Sequence, residues 1–100
     1  MTSFAVGQSV KIPCEVQRGA FPHEVLVTFT TAQGPISGFV RSDTIVGRHD
    51  HQGFIPAIIQ AVSQDTITAV VKGSFFTTTG LIYLKRDWAD ANLQRDRQVA

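Results

Sequence analysis

The residues that look most like metal ligands are His49-Asp50-His51. On a strand, residues i and i+2 share a face. Two imidazoles so placed can chelate zinc or nickel, with His23 or Asp50 adding a ligand. A closed zinc site needs four ligands and usually more cysteine. The surrounding Val46 to Gly53 is polar and bounded by glycines, which reads as a loop. The expectation is therefore a solvated loop without a resident metal or cofactor, in which His49 and His51 are the candidate ligands. The single cysteine, Cys14, lies between Ile12 and Val16 on an apolar face. A thiol becomes a nucleophile when nearby positive charge stabilises the thiolate, and apolar burial does the opposite. No glycine-rich loop carries the lysine-serine pair that cradles phosphate. Serine, histidine and aspartate are present without the spacing of a triad.

Aromatic and basic residues offer a different chemistry. Gly73 to Gly80 places Phe75 and Phe76 beside one serine and three threonines. Adjacent strand residues point to opposite faces, so the two rings cannot enter one core. An exposed ring can anchor a protein partner or stack on a base. The other reading has one ring in the core and the second packed under the C-terminal segment against Trp88. Arg41, Lys72, Tyr83, Lys85 and Arg86, with Phe75, make up a mixed basic and aromatic set of the kind single-stranded nucleic acid uses. The opposing observation is a formal net charge of only +1, where nucleic-acid binders usually cluster their cations.

Strands must position these residues, because the dominant period is two. Val10, Ile12, Cys14 and Val16 alternate with Lys11, Pro13, Glu15 and Gln17, the pattern of a strand with one wet face. Pro13 has no ladder N–H, which puts this strand at an edge or turns that position outward. Val25 to Thr30, Ile36 to Arg41, Phe54 to Val62, Thr66 to Lys72 and Leu81 to Lys85 continue the series. Turns are predicted at Ala32 to Pro35 and at Ser63-Gln64-Asp65. Asp87 is placed to cap a short helix through Trp88, Ala89, Ala91 and Leu93. With 100 residues the chain fits one domain, 1–100, with frayed ends at 1–3 and 97–100. One cysteine allows no internal disulfide, and no apolar run approaches the length of a membrane span. The expectation is a cytoplasmic protein with no membrane partner.

The two halves of the sequence also resemble each other. Ile12-Pro13 falls on Ile55-Pro56 at an offset of 43. Val25, Val27 and Phe29 fall on Ile67, Ala69 and Val71 at 42, and Gly38-Phe39-Val40 falls on Gly80-Leu81-Ile82 at the same offset. Asp43 and Asp87 each follow a basic stretch. Such matching arises from a duplicated three-stranded unit or from the apolar pattern all strands share. The inward set is the same either way: Val10, Ile12, Cys14, Val16, Val25, Val27, Phe29, Val40, Ile55, Ala57, Ile59, Ile67, Ala69, Val71 and Ile82.

Phe4, Val6-Gly7-Gln8, Val10 and Ile12 resemble the opening of SH3-like barrels. Gly38-Phe39-Val40 before a turn at Asp43-Thr44 is similar to the late part of one. The resemblance covers about the first half of the chain and implies a superfold, from which no activity follows. The expected fold is all-β: a small SH3-like barrel of five to six antiparallel strands, readable as two pseudo-symmetric halves, with a short C-terminal helix or tail. Three functions are compatible with it. The first is a non-enzymatic binding module that presents the aromatic and Thr-rich Phe75-Phe76 segment to a protein partner or its own copy, with Tyr83 and Trp88 as further candidate binding residues. The second is single-stranded nucleic-acid binding through the basic and aromatic face of Arg41, Lys72, Tyr83, Lys85 and Arg86 with Phe75. The third is an enzyme whose site forms only in an oligomer.

Overall fold

The computed structural model describes residues 4–71, the backbone of 74–75, and residues 80–95. These form one antiparallel sheet with strands β1 (Ser9–Arg18), β2 (Glu24–Thr31), β3 (Gly34–Arg41), β4 (Val46–His49), β5 (Gln52–Val62), β6 (Thr66–Val71), β7 (Ser74–Phe75), β8 (Leu81–Lys85) and β9 (Gln94–Arg95). A single 3-10 turn, Ser42–Thr44, separates β3 from β4, and helix α1, Arg86–Asn92, separates β8 from β9. The strand order is β7-β3-β2-β1-β5-β6-β8, with β4 beside β5 and β9 beside β1. The sheet curls on itself: the Ala32 N–H, in the β2–β3 turn, donates to the Tyr83 carbonyl of β8 at 2.7 Å. The expected fold class, all-β with a short C-terminal helix, is what the chain adopts. No helix among the described residues is long and apolar enough to cross a membrane.

The order also shows two similarly built halves. Leaving out β7, it reads as a three-stranded meander meeting a second meander head to head. Ile12 and Ile55, the matched residues of the two halves, sit directly opposite each other in the β1–β5 ladder. A pseudo-two-fold axis therefore passes between them. It extends to the last strands: β4 of the first half pairs with β5, and β9 of the second half pairs with β1. One detail of the sequence match is corrected. Gly38 lies opposite Val27, and Ile82 lies opposite Ala69. Since Val27 matches Ala69, Gly38 matches Ile82 rather than Gly80, and Val40 matches Leu84. The connection from second to third strand is two residues longer in the second half. A shift of two preserves the side-chain parity, so the inward set is unaffected.

All fifteen inward residues are buried, and the core adds Phe4, Ile45, Leu84, Ala89 and Leu93. Ile45 and Leu93 are equivalents: each follows a helical turn and precedes the strand that crosses to the other half. The two prolines mark equivalent places as well. The Val16 N–H donates to the His51 carbonyl at 2.7 Å, which makes the even-numbered residues of β1 the ones bonded to β5. Pro13 and Pro56 therefore turn their nitrogens away from the β1–β5 ladder. The β1–β2 ladder runs only from Glu15 to Arg18 and the β5–β6 ladder starts at Ala57, so neither missing N–H costs a bond there. Pro13 faces outward, as expected, although β1 is a central strand.

Two other expectations change. Val46 to Gly53 is a hairpin, not a loop, with β4 and β5 joined through Asp50-His51. Its turn is possible because Asp50 adopts φ 56, a left-handed conformation that aspartate tolerates. Helix α1 starts two residues earlier than predicted, and its N-cap is Lys85 without a side-chain bond. Asp87 instead lies in the first turn, where a carboxylate suits the helix dipole. The expected frayed ends, 1–3 and 97–100, lie outside the described residues.

Each side chain at the axis is fully buried. Replacing Ile55 with alanine should lower unfolding stability by about 2–5 kcal/mol, measured by urea denaturation. Ile12→Ala should cost a similar amount, because it empties the equivalent site. A loss below about 1 kcal/mol at both positions would contradict the central place given to this pair.

Candidate binding surfaces

The sequence-predicted residues divide among separate places. Tyr83 and Lys85 occupy alternate positions on β8 and are exposed together on its outer face. Arg41 ends β3, the equivalent strand of the other half, and forms an ion pair with Asp43 at 3.0 Å. Arg86 opens α1 and donates from Nη1 to the Ser63 carbonyl at 2.9 Å. Its own N–H donates to the Asp65 carbonyl at the same distance. That is a tie between α1 and the β5–β6 turn. Trp88 is half-buried against the core. Phe75 belongs to β7, with its backbone opposite Gly38. Phe76 and Lys72 lie outside the described residues.

His49 ends β4, and His51 sits in the turn after Asp50, so all three stand at a hairpin tip. The His49 and Asp50 side chains are largely exposed, with Nε2 to Oδ2 at 3.9 Å. Among the described residues, no group of three histidine, cysteine, aspartate or glutamate side chains is arranged to hold a metal ion. His23 lies in the β1–β2 connection and contributes its carbonyl to the Ser42 N–H at 2.8 Å.

Cys14 lines the floor of a cleft that opens where β1 parts from β2. Beyond Glu15 the two strands separate, and Trp88 of α1 borders the gap. The cleft measures about 610 Å³, and its walls include Pro13, Glu15, Pro35, Phe54 and Trp88. Phe54 lies over Gly47, where a Cβ would come 3.2 Å from the ring; the bare glycine keeps that side open.

A second surface was not anticipated. On the outer face of the second half, Ile58, Val70 and Leu81 form a straight cross-strand row through β5, β6 and β8. Ile58 is 46% exposed. The equivalent row in the first half is Glu15, Thr28 and Ser37. There the face is polar, and Thr28 and Ser37 share a hydroxyl–hydroxyl bond of 2.7 Å. The sequence did carry a signal: the runs Ala57-Ile58-Ile59, Val70-Val71 and Leu81-Ile82 are apolar at consecutive positions, hence on both faces of their strands. Phe21 and Phe39 are further exposed rings that the sequence reading passed over.

Comparison with protein-family models, with curated proteins and with solved structures found no match to this chain.

Burial pushes the Cys14 thiol up from its ordinary value of 9.0 to about 11. A thiol held neutral this way stabilises the fold fully below pH 9.0 and loses that contribution as the pH rises through 11. The loss should be roughly 2–3 kcal/mol. Urea denaturation across this alkaline range should show it in the wild type, and the Cys14→Ala variant should lack that component. Equal pH dependence in both proteins would show that the thiol is not the source.

Proposed function

We propose that this protein is a non-enzymatic binding module and that its second half pairs face to face with a second copy. The observation that carries the reading is the apolar row Ile58, Val70 and Leu81, set where the duplicated scaffold elsewhere places Glu15, Thr28 and Ser37. Both rows solve the same packing problem inside the sheet. Their difference is confined to the solvent side, where the fold itself demands nothing apolar.

Charge favours a copy as the occupant. In a two-fold interface each patch meets itself. The first-half row would bring Glu15 against Glu15. The second-half row carries no charge, and Tyr83 extends it along β8. A net charge of +1 adds little repulsion between whole molecules. The turn at Ser42–Thr44 after β3, followed by the short β4, supports the resemblance to an SH3-like barrel. That likeness bears on the scaffold and not on the partner.

The polar row of the first half provides the test. Transplanting it as Ile58→Glu, Val70→Thr and Leu81→Ser should convert a dimer into a monomer, read by size-exclusion chromatography with light scattering. Circular dichroism and the thermal midpoint should show a retained fold, since these side chains face outward. A wild type that stays monomeric at high concentration would overturn the reading, and so would a triple variant that remains dimeric.

A further inference from the structure

The cleft beside Trp88 is a separate observation from the apolar row and points to a different ligand. Its walls supply two large aromatic side chains, Phe54 and Trp88, with Pro13 and Pro35 as further rigid apolar surface. Phe29, buried beneath, makes the floor apolar as well. Among its lining residues Glu15 is the one carboxylate, and no lysine or arginine is present. Glu15 is exposed, and no cation among the described residues forms an ion pair with it. Local packing does not need this carboxylate: its ladder neighbours are Thr28 and Gln52.

The cleft's volume, about 610 Å³, falls in the range of small-molecule sites. Aromatic faces attract cations through their quadrupoles, most strongly where water is excluded. A carboxylate at the rim adds a full opposite charge. An anion would find no lysine or arginine here, and His49 is the one basic side chain of the lining. A neutral apolar ligand would leave the carboxylate without a counterpart. From this combination we propose that the cleft binds a small alkylammonium compound, with its cationic head between Trp88 and Phe54 and near Glu15.

Trp88 is the only tryptophan in the chain, so its fluorescence reports directly on the cleft. Choline chloride is the probe, and 3,3-dimethylbutan-1-ol is its neutral counterpart of nearly the same shape. Choline should change Trp88 emission saturably, while the alcohol should bind roughly tenfold more weakly or not at all. Glu15→Gln and Phe54→Ala should each weaken choline binding by about tenfold. Glu24→Gln, which removes an acid outside the cleft, should leave it unchanged. Thermal melts establish that each variant is folded. Because Glu15→Gln alters an exposed position, it keeps the test decisive even where Phe54→Ala fails to fold. No saturable response to choline would overturn the proposal, as would equal binding of the alcohol or an equal effect of Glu24→Gln. Each of these outcomes is independent of the protein's oligomeric state.

Discussion

Everything else in the molecule hangs on the antiparallel pairing of β1 with β5. Ile12 and Ile55 face each other across it, and both are fully buried. The pairing joins two meanders that each lack enough sheet to close a core alone. It also fixes where the other strands attach. Each long strand changes partners along its length: one part serves the axis and the other part serves its own meander. The prolines sit at that change of partner, where the strand has no ladder bond to lose on the free side. A proline there offers no N–H to a neighbour on that side. The cleft by Trp88 is the space left over on one side.

Much of this was legible in the sequence because period two is a strong signal. An inward residue in an alternating strand has little choice of environment, and every one named from the pattern is buried. The likeness of the two halves was also visible, since Ile-Pro recurs at corresponding positions of the long strands. What escaped the sequence was non-local. Ile45 and Leu93 belong to no alternating run, and their burial comes from strands that cross to the other half. The hairpin through Asp50-His51 hides behind polar residues because it pairs at an edge, where side chains on both faces are wet. The Trp88 cleft draws on β1, β3, β5 and α1 at once, and no spacing along the chain announces such a meeting. Lys72 and Phe76 carried part of the predicted basic and aromatic face, and the described residues do not include them.

Comparing the halves separates what the scaffold requires from what it merely permits. Positions that face the core are apolar in both, with Val16 matching Ile59 and Val27 matching Ala69. Positions that face solvent diverge, from glutamate to isoleucine and from serine to leucine. Internal symmetry thus provides a control within one molecule: the same backbone site appears twice, under the same packing constraint, with two different outer surfaces. Gly53 shows that the control has limits. Its counterpart is Val10, but a side chain at Gly53 would strike Ile45 at 2.6 Å. The crossing strand presses closer on that side, so the symmetry is approximate where the halves interlock.

The exchange of last strands has a consequence for how the chain holds together. β4 leaves the first half to lie on β5, and β9 returns from the second half to lie on β1. The only covalent link between the halves runs through the exposed tip at Asp50 and His51. Cutting the backbone there would sever the chain without separating the pieces, because each fragment would still hold a strand of the other's sheet and half of the shared core. The nicked protein would behave as a tight heterodimer of two interlocked peptides, related to the intact chain much as a clasped pair of hands is to hands that are also tied.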